Sequence, residues 1–320
     1  LTVNAVSIGQ GAFTAPSASG SFIITGEKDN LAFDYDGNQF IHNGGTIDIR
    51  TQATTLVDFG SNNGTAHIGN VKINHASCVA KLQNAGSLLG NLDLALGTFD
   101  TDGNALTVAG TVICGSGDLL LNASAVTIGG YSVTGDGEMT GTTHADGLIV
   151  LGNWRSAGSR FNNADGKVVF KGSSGGTIAM NGAGSSGQGF YDVEIDIAGQ
   201  TYSTSEWDLT GIENDLVITA GTLNLGTQAG TPLTLTVGGE LTVAGGTLTC
   251  NSSAVTVRNV FQSSGTLTLP DASGSFTITG SGTTGSGNGY HIRLDGGTTT
   301  HRSGTVEITA STGSAILVKT

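Results

Sequence analysis

The chain of 320 residues holds 53 glycines and only 3 prolines, with 37% hydrophobic and 12% charged residues, which excludes both collagen and a disordered polyelectrolyte. Its net charge of −13 includes only 12 basic residues, in no cluster, so the electrostatic footprint of a nucleic-acid binder is missing from the sequence. No apolar run approaches the roughly 20 residues that span a membrane, and Cys78, Cys114 and Cys250 are too few and scattered for a disulfide framework or a zinc site.

Short strand-like segments start at once. "NAVSIGQ" (4–10) precedes "GAFTAPSASGSFIITG" (11–26), which returns at 265–280 as "GTLTLPDASGSFTITG" with eleven of sixteen residues identical. "GNQFIHNGGTIDIRTQATTLVDFG" (37–60) sets a plan reused at 152–172 and 259–280: an opening Asn, a strand-like run, a turn, and an apolar-alternating stretch closed by Gly. "HIGNVKIN" (67–74) matches "FYDVEIDI" (190–197) and "YHIRLDGG" (290–297). The stretch 78–94 has helical propensity, yet its place in the repeat aligns it with 201–218 and predicts strand. "GNLDLALGTFDTDG" (90–103) shares its apolar positions with "NDLVITAGTLNLG" (214–226), and "NASAVTIGG" (122–130) returns as "NSSAVTVRN" (251–259). In "TPLTLTVGGELTVAGGTLTC" (231–250), Leu or Val alternates with Thr between Gly-Gly breaks. That is the period of a strand, with glycine supplying the positive φ of tight corners. The last stretch, "SAILVKT" (314–320), reads as a cap or joining strand.

Most of these offsets fall between 115 and 130 residues in a constant order. They divide the chain into a first unit over 1–120, a second over 121–250, and a shortened third over 251–320 that includes the cap. The fold expected is all-β, a β-solenoid in which each coil buries its apolar face against its neighbours. Tandem β-sandwich domains are the alternative. At roughly 20–25 residues per coil the solenoid would hold about 13–16 coils.

The clearest copy of the plan runs from 152 to 250. Gly152, Asn153 and Trp154 open it, Phe170 and Gly172 close its first stretch, and Phe190 and Tyr191 begin the next strand. The other copies are degenerate, with Gln39 or Val260 at the aromatic position. This order resembles the Gly/Thr/Asn-rich β-solenoid repeats of bacterial surface adhesins and of structural proteins in marine phage virions. The resemblance implies an extracellular, cell-surface or virion location and a structural role, and it carries no catalytic residues over.

The residues offer few alternatives to that role. Two acidic stretches contain Asp34 with Asp36 and Asp100 with Asp102, but an EF-hand loop needs a carboxylate where Gly45 and Thr111 stand. Tight turns explain them, and a looser calcium site shared between coils is the functional alternative. The six histidines lack metal spacing. Glu194, Asp196, Glu206, Asp208, Glu213 and Asp215 form the densest acidic region, either a solvated face or the lining of a groove. Beside them, Tyr191, Tyr202 and Trp207 could stack on a glycan or pack the core. Asn63, Asn122 and Asn251 begin glycosylation sequons, the last two at equivalent repeat positions. Thr-x-Thr arrays characterise ice-binding solenoids, but these threonines are expected to keep no fixed coil-to-coil spacing, which argues against such a face.

The expectation is therefore a structural or adhesive exterior protein, such as a surface or virion fibre, decoration or lattice subunit, without enzymatic chemistry or cofactor. Its partners would be copies of itself or other exterior structural proteins, with surface glycans as a further option, and neither nucleic acid nor membrane insertion. The alternative is an extracellular carbohydrate-binding or polysaccharide-cleaving β-helix protein.

Overall fold

The computed structural model describes residues 1–320 except 9–11, 36–38, 42, 61–67, 182–187, 206–208, 229, 281–289, 310–313 and 319–320. The protein is nearly all-β, with most of the described residues in strands, and its parallel coils stack as a β-solenoid of about 12 turns. One 3-10 turn, Gly158–Arg160, is the only helical element among the described residues. The chain divides into two compact units, Leu1–Ile149 with Arg160–Ala164, and Val150–Ser159 with Asp165–Thr320.

In the first unit, side chains alternate in and out of each strand, so one residue per coil meets its counterpart in the next. Phe22 pairs with Ile47, Ile47 with Val71, Val71 with Leu92 and Leu92 with Val112. All five are buried, which makes this column one wall of a shared core. Phe59 lies 6.1 Å from Phe99 in a stacked arrangement and 6.2 Å from Phe33. Such ring pairs add about 0.5–1.5 kcal/mol beyond the area they bury.

The second unit repeats the logic. Val193, Leu216, Leu241, Val260 and Ile292 form one inward column, and Tyr202, Leu223, Leu248 and Leu267 another. Trp154, Phe170 and Phe190, the aromatics of the sequence plan, gather in its interior with ring centroids 5.2–6.3 Å apart. The stretch 78–94 is extended, within Asn70–Leu82, Gly86–Leu88 and Leu92–Asp100. Its place in the repeat, rather than its local propensity, decided its structure.

The similarity between 90–103 and 214–226 has a geometric counterpart. In Leu92–Asp100, residues before Gly97 pair with Val112–Cys114 and residues after it with Asp118–Leu120. In Leu216–Asn224, residues before Gly221 pair with Leu241–Val243 and those after it with Thr247–Thr249. Each strand thus changes face at its glycine, where φ is +76° in Gly97 and +74° in Gly221. A Cβ at these positions would sit 2.5 Å from the His75 carbonyl oxygen and 2.2 Å from that of Ile197. The copies at 11–26 and 265–280 also agree: the Gly20 N–H donates to Ser17 O at 2.7 Å and the Gly274 N–H to Asp271 O at 2.9 Å. Phe22 and Phe276 follow these turns into the core.

The coil count is lower than expected because coil length varies. The register advances 20 residues from Leu92 to Val112 but 32 from Val260 to Ile292.

Candidate interaction face

The corners of a solenoid leave backbone N–H groups outside the regular ladders, and buried ones must find other acceptors. Asn and Asp side chains supply them from the preceding coil. In the first unit, Asn70 Oδ1 accepts from the Asn91 N–H at 2.9 Å, and Asn91 Oδ1 accepts from the Thr111 N–H at 2.8 Å. In the second, Asp192 Oδ1 accepts from the Asp215 N–H at 3.0 Å, and Asp215 Oδ1 from the Glu240 N–H at 2.7 Å. A chain of short polar side chains therefore links coil to coil in each unit.

A different polar arrangement occupies one outer face of the second unit. Thr201 pairs in register with Thr222, Thr222 with Thr247, Thr247 with Thr266 and Thr266 with Thr298. Two residues along each strand, Ser203, Asn224, Thr249, Thr268 and Thr300 form a second column. The intervening Tyr202, Leu223, Leu248 and Leu267 point inward and are buried. All ten outer positions are exposed or half-exposed, and none carries a charge. The columns step by about 4.7–4.9 Å from coil to coil, and residues two apart on a strand lie about 6.6–6.8 Å apart. No register shift interrupts the array. The expectation of irregular threonines is thus corrected: their sequence spacing varies, but their register does not. The signal available in the sequence was the recurring triplet of Thr, an apolar residue and Thr, at 247–249 and 266–268.

The equivalent strands of the first unit lack this character. There Lys81 stands opposite Asp100, and Thr98 opposite Asp118. The Lys81 ammonium lies 2.9 Å from Asp102 and 3.5 Å from Asp100. Asp100 Oδ1 also accepts from the Asp102 N–H at 2.8 Å and from Asn122 Nδ2 at 2.6 Å. These partners hold the Asp100–Asp102 turn. Asp34 accepts from the Ser7 hydroxyl at 2.8 Å and borders a cleft of about 170 Å³ with Lys28 and Asp29. Asp36 lies outside the described residues. Among the described residues, no three His, Cys, Asp or Glu side chains converge as metal ligands would.

The aromatic candidates separate. Tyr202 is fully buried, its hydroxyl donating to Gly152 O at 3.0 Å and its ring centroid 5.0 Å from that of Phe170. Burial pushes its pKa up to about 12. Its ring packs core and does not meet a surface glycan. Tyr191 is half-buried, and Trp207 lies outside the described residues. The acidic region is likewise divided. Glu194 pairs with Lys167 at 2.9 Å and accepts from the Thr219 hydroxyl, Asp196 pairs with Lys171 at 2.8 Å, and Asp215 serves the corner ladder. Glu206 and Asp208 lie outside the described residues.

Asn122 and Asn251 both adopt positive φ, at +52° and +50°, which confirms their equivalence as corner residues. Asn251 Nδ2 donates to Leu225 O at 2.6 Å and to Asn224 Oδ1 at 2.9 Å, so both sequon nitrogens are engaged between coils. Asn63 lies outside the described residues.

One further feature is apolar. Phe276, Ile278, Ile292, Leu294, Val306 and Ile316 line an open cavity of about 190 Å³ at the last coils, where Ile316 is 55% exposed. Comparison with protein-family models, curated proteins and solved structures finds no match to this chain.

Proposed function

We propose that this chain is a structural, adhesive protein of an exterior surface: a cell-surface or virion fibre, decoration or lattice subunit that works through its faces. The observation that carries the reading is the uncharged Thr/Ser/Asn array, a repeating outer surface on a framework whose side chains are largely committed to holding coils together. Polar corner ladders and inward apolar columns give each coil two kinds of bond to its neighbour, as a load-bearing element requires. The apolar cavity at the last coils supports the assembly part of the reading, because contiguous exposed apolar surface marks sites of association.

A polysaccharide-cleaving reading receives less support. Glycosidic cleavage uses a facing carboxylate pair, one of them a general acid with raised pKa, whereas Glu194 and Asp196 are tied to Lys167 and Lys171. The experiment is electron microscopy of the native source with an antibody against the chain. Regular labelling along a capsid, fibre or envelope is the expected result. Label confined to soluble, unordered material would refute the architectural role.

A further inference from the structure

The geometry points to ordered water as the partner of the threonine face: the array on Thr201–Thr300 binds the surface of ice crystals. This inference rests on the exterior adhesive reading and names the ligand of that same face.

Four properties of the array lead there. It is two-dimensional, with five aligned rungs in two columns, so it can match a lattice and not merely one molecule. Its mesh of about 4.7–4.9 by 6.6–6.8 Å follows from strand spacing and rise, and is of the same scale as the oxygen repeats of ice. Each threonine offers a hydroxyl that both donates and accepts, as a lattice water does, beside a methyl group around which water must order itself. The array also lacks charge, in a chain with 25 acidic side chains. An ion would orient its own hydration shell and break the lattice.

The crystalline alternative, a polysaccharide surface, calls for aromatic rings against sugar faces. None of the ten outer positions is aromatic, and Tyr202 lies beneath the array with its ring buried. The side chains are also held in rank. Leu223, Leu248 and Leu267 anchor three successive strands from below, and Asn251 Nδ2 donates to Asn224 Oδ1 within the second column. The ordered face therefore exists before its partner arrives, which limits the entropy lost on binding.

The test uses the full chain in nanolitre osmometry and ice-recrystallisation assays. Three variants are compared: Thr247→Lys with Thr268→Lys on the array, the milder Thr247→Ser with Thr268→Ser, and Thr256→Lys on the separate outer column in which Thr256 pairs with Thr236 and Thr277. Circular dichroism melts establish that each is folded. The expected result is a freezing-point gap and shaped crystals with the natural chain and with Thr256→Lys, loss of both with the Lys pair, and a reduced gap with the Ser pair. The Ser pair keeps the test decisive should the Lys pair fail to fold. Absence of any freezing-point gap and of recrystallisation inhibition in the natural chain would overturn the inference, as would equal activity in all variants. Binding to crystalline cellulose or chitin without effect on ice would also overturn it, assigning the face to a polysaccharide. None of these outcomes alters the labelling pattern in electron microscopy, so failure of the ice assignment is distinguishable from failure of the architectural reading.

Discussion

Asn91 illustrates how much of this fold depends on single side-chain oxygens. Its Oδ1 takes the Thr111 N–H, while its own N–H goes to Asn70 Oδ1. Replacing it with Ala hands an exposed backbone donor back to water, so Asn91→Ala should lower unfolding free energy by about 0.5–1.5 kcal/mol, read from urea titration. Asn91→Asp keeps an oxygen in place and should cost less. Cysteine behaviour follows from burial in the same way. Desolvation pushes the thiols of Cys114 and Cys250 up to about 12, and raises that of Cys78, so little nucleophilic thiolate forms near neutrality. Iodoacetamide at pH 8 should leave all three unmodified in the folded chain and alkylate all three in denaturant. Rapid labelling of the folded chain would show that these coils open locally. Tyr202 marks the limit of sequence reading at this scale. An aromatic in a polar, acidic stretch offers no sign of which side of the strand it occupies until the inward column through Leu223 and Leu248 is known.

Strands were legible from their period-two pattern, and the turns from their glycines. The face-changing role of Gly97 and Gly221 was half-legible: the apolar match between their segments was visible, but not that each strand pairs with two different partners on either side of the glycine. Because both have positive φ and face a carbonyl oxygen within 2.5 Å of a Cβ, Gly221→Ala should cost well over the roughly 1 kcal/mol of an unstrained substitution. A chemical-denaturation midpoint unchanged from the natural chain would mean that the bend relaxes elsewhere. Beneath the threonine array, Leu248→Ala should cost about 2–5 kcal/mol. Thr256→Lys, on an outer column, should stay within about 0.5 kcal/mol of the natural chain. The contrast separates core columns from outer columns by thermal melt alone.

For the molecule as a whole, the buried acids of highest pKa set the alkaline limit. The folded state holds Cys114, Cys250 and Tyr202 near 12 and Tyr131 well above its ordinary value. In the unfolded chain thiols ionise near 8.5 and phenols near 10. Between those limits the unfolded state binds fewer protons than the folded one, so unfolding free energy falls as pH rises. Urea midpoints should therefore be level near neutrality and decline steadily above about pH 8.5. A level profile to pH 11 would mean that these groups titrate freely in the folded chain. At this scale the solenoid and its repeats were readable because coil stacking imposes a pattern on composition and order. The threonine columns were not, because register is set by pairing across coils, and the sequence distance between partners is 19 residues from Thr247 to Thr266 but 32 from Thr266 to Thr298.

That freedom in coil length has an evolutionary meaning. A framework whose rungs stay aligned while the intervening peptide grows or shrinks can acquire insertions at a corner without disturbing the surface it displays. Selection on such a chain acts separately on two alphabets, one fixed by stacking and corner bonds and one free in the length between them. Two descendants of one ancestor could then keep the same face while losing the collinearity by which kinship is usually read.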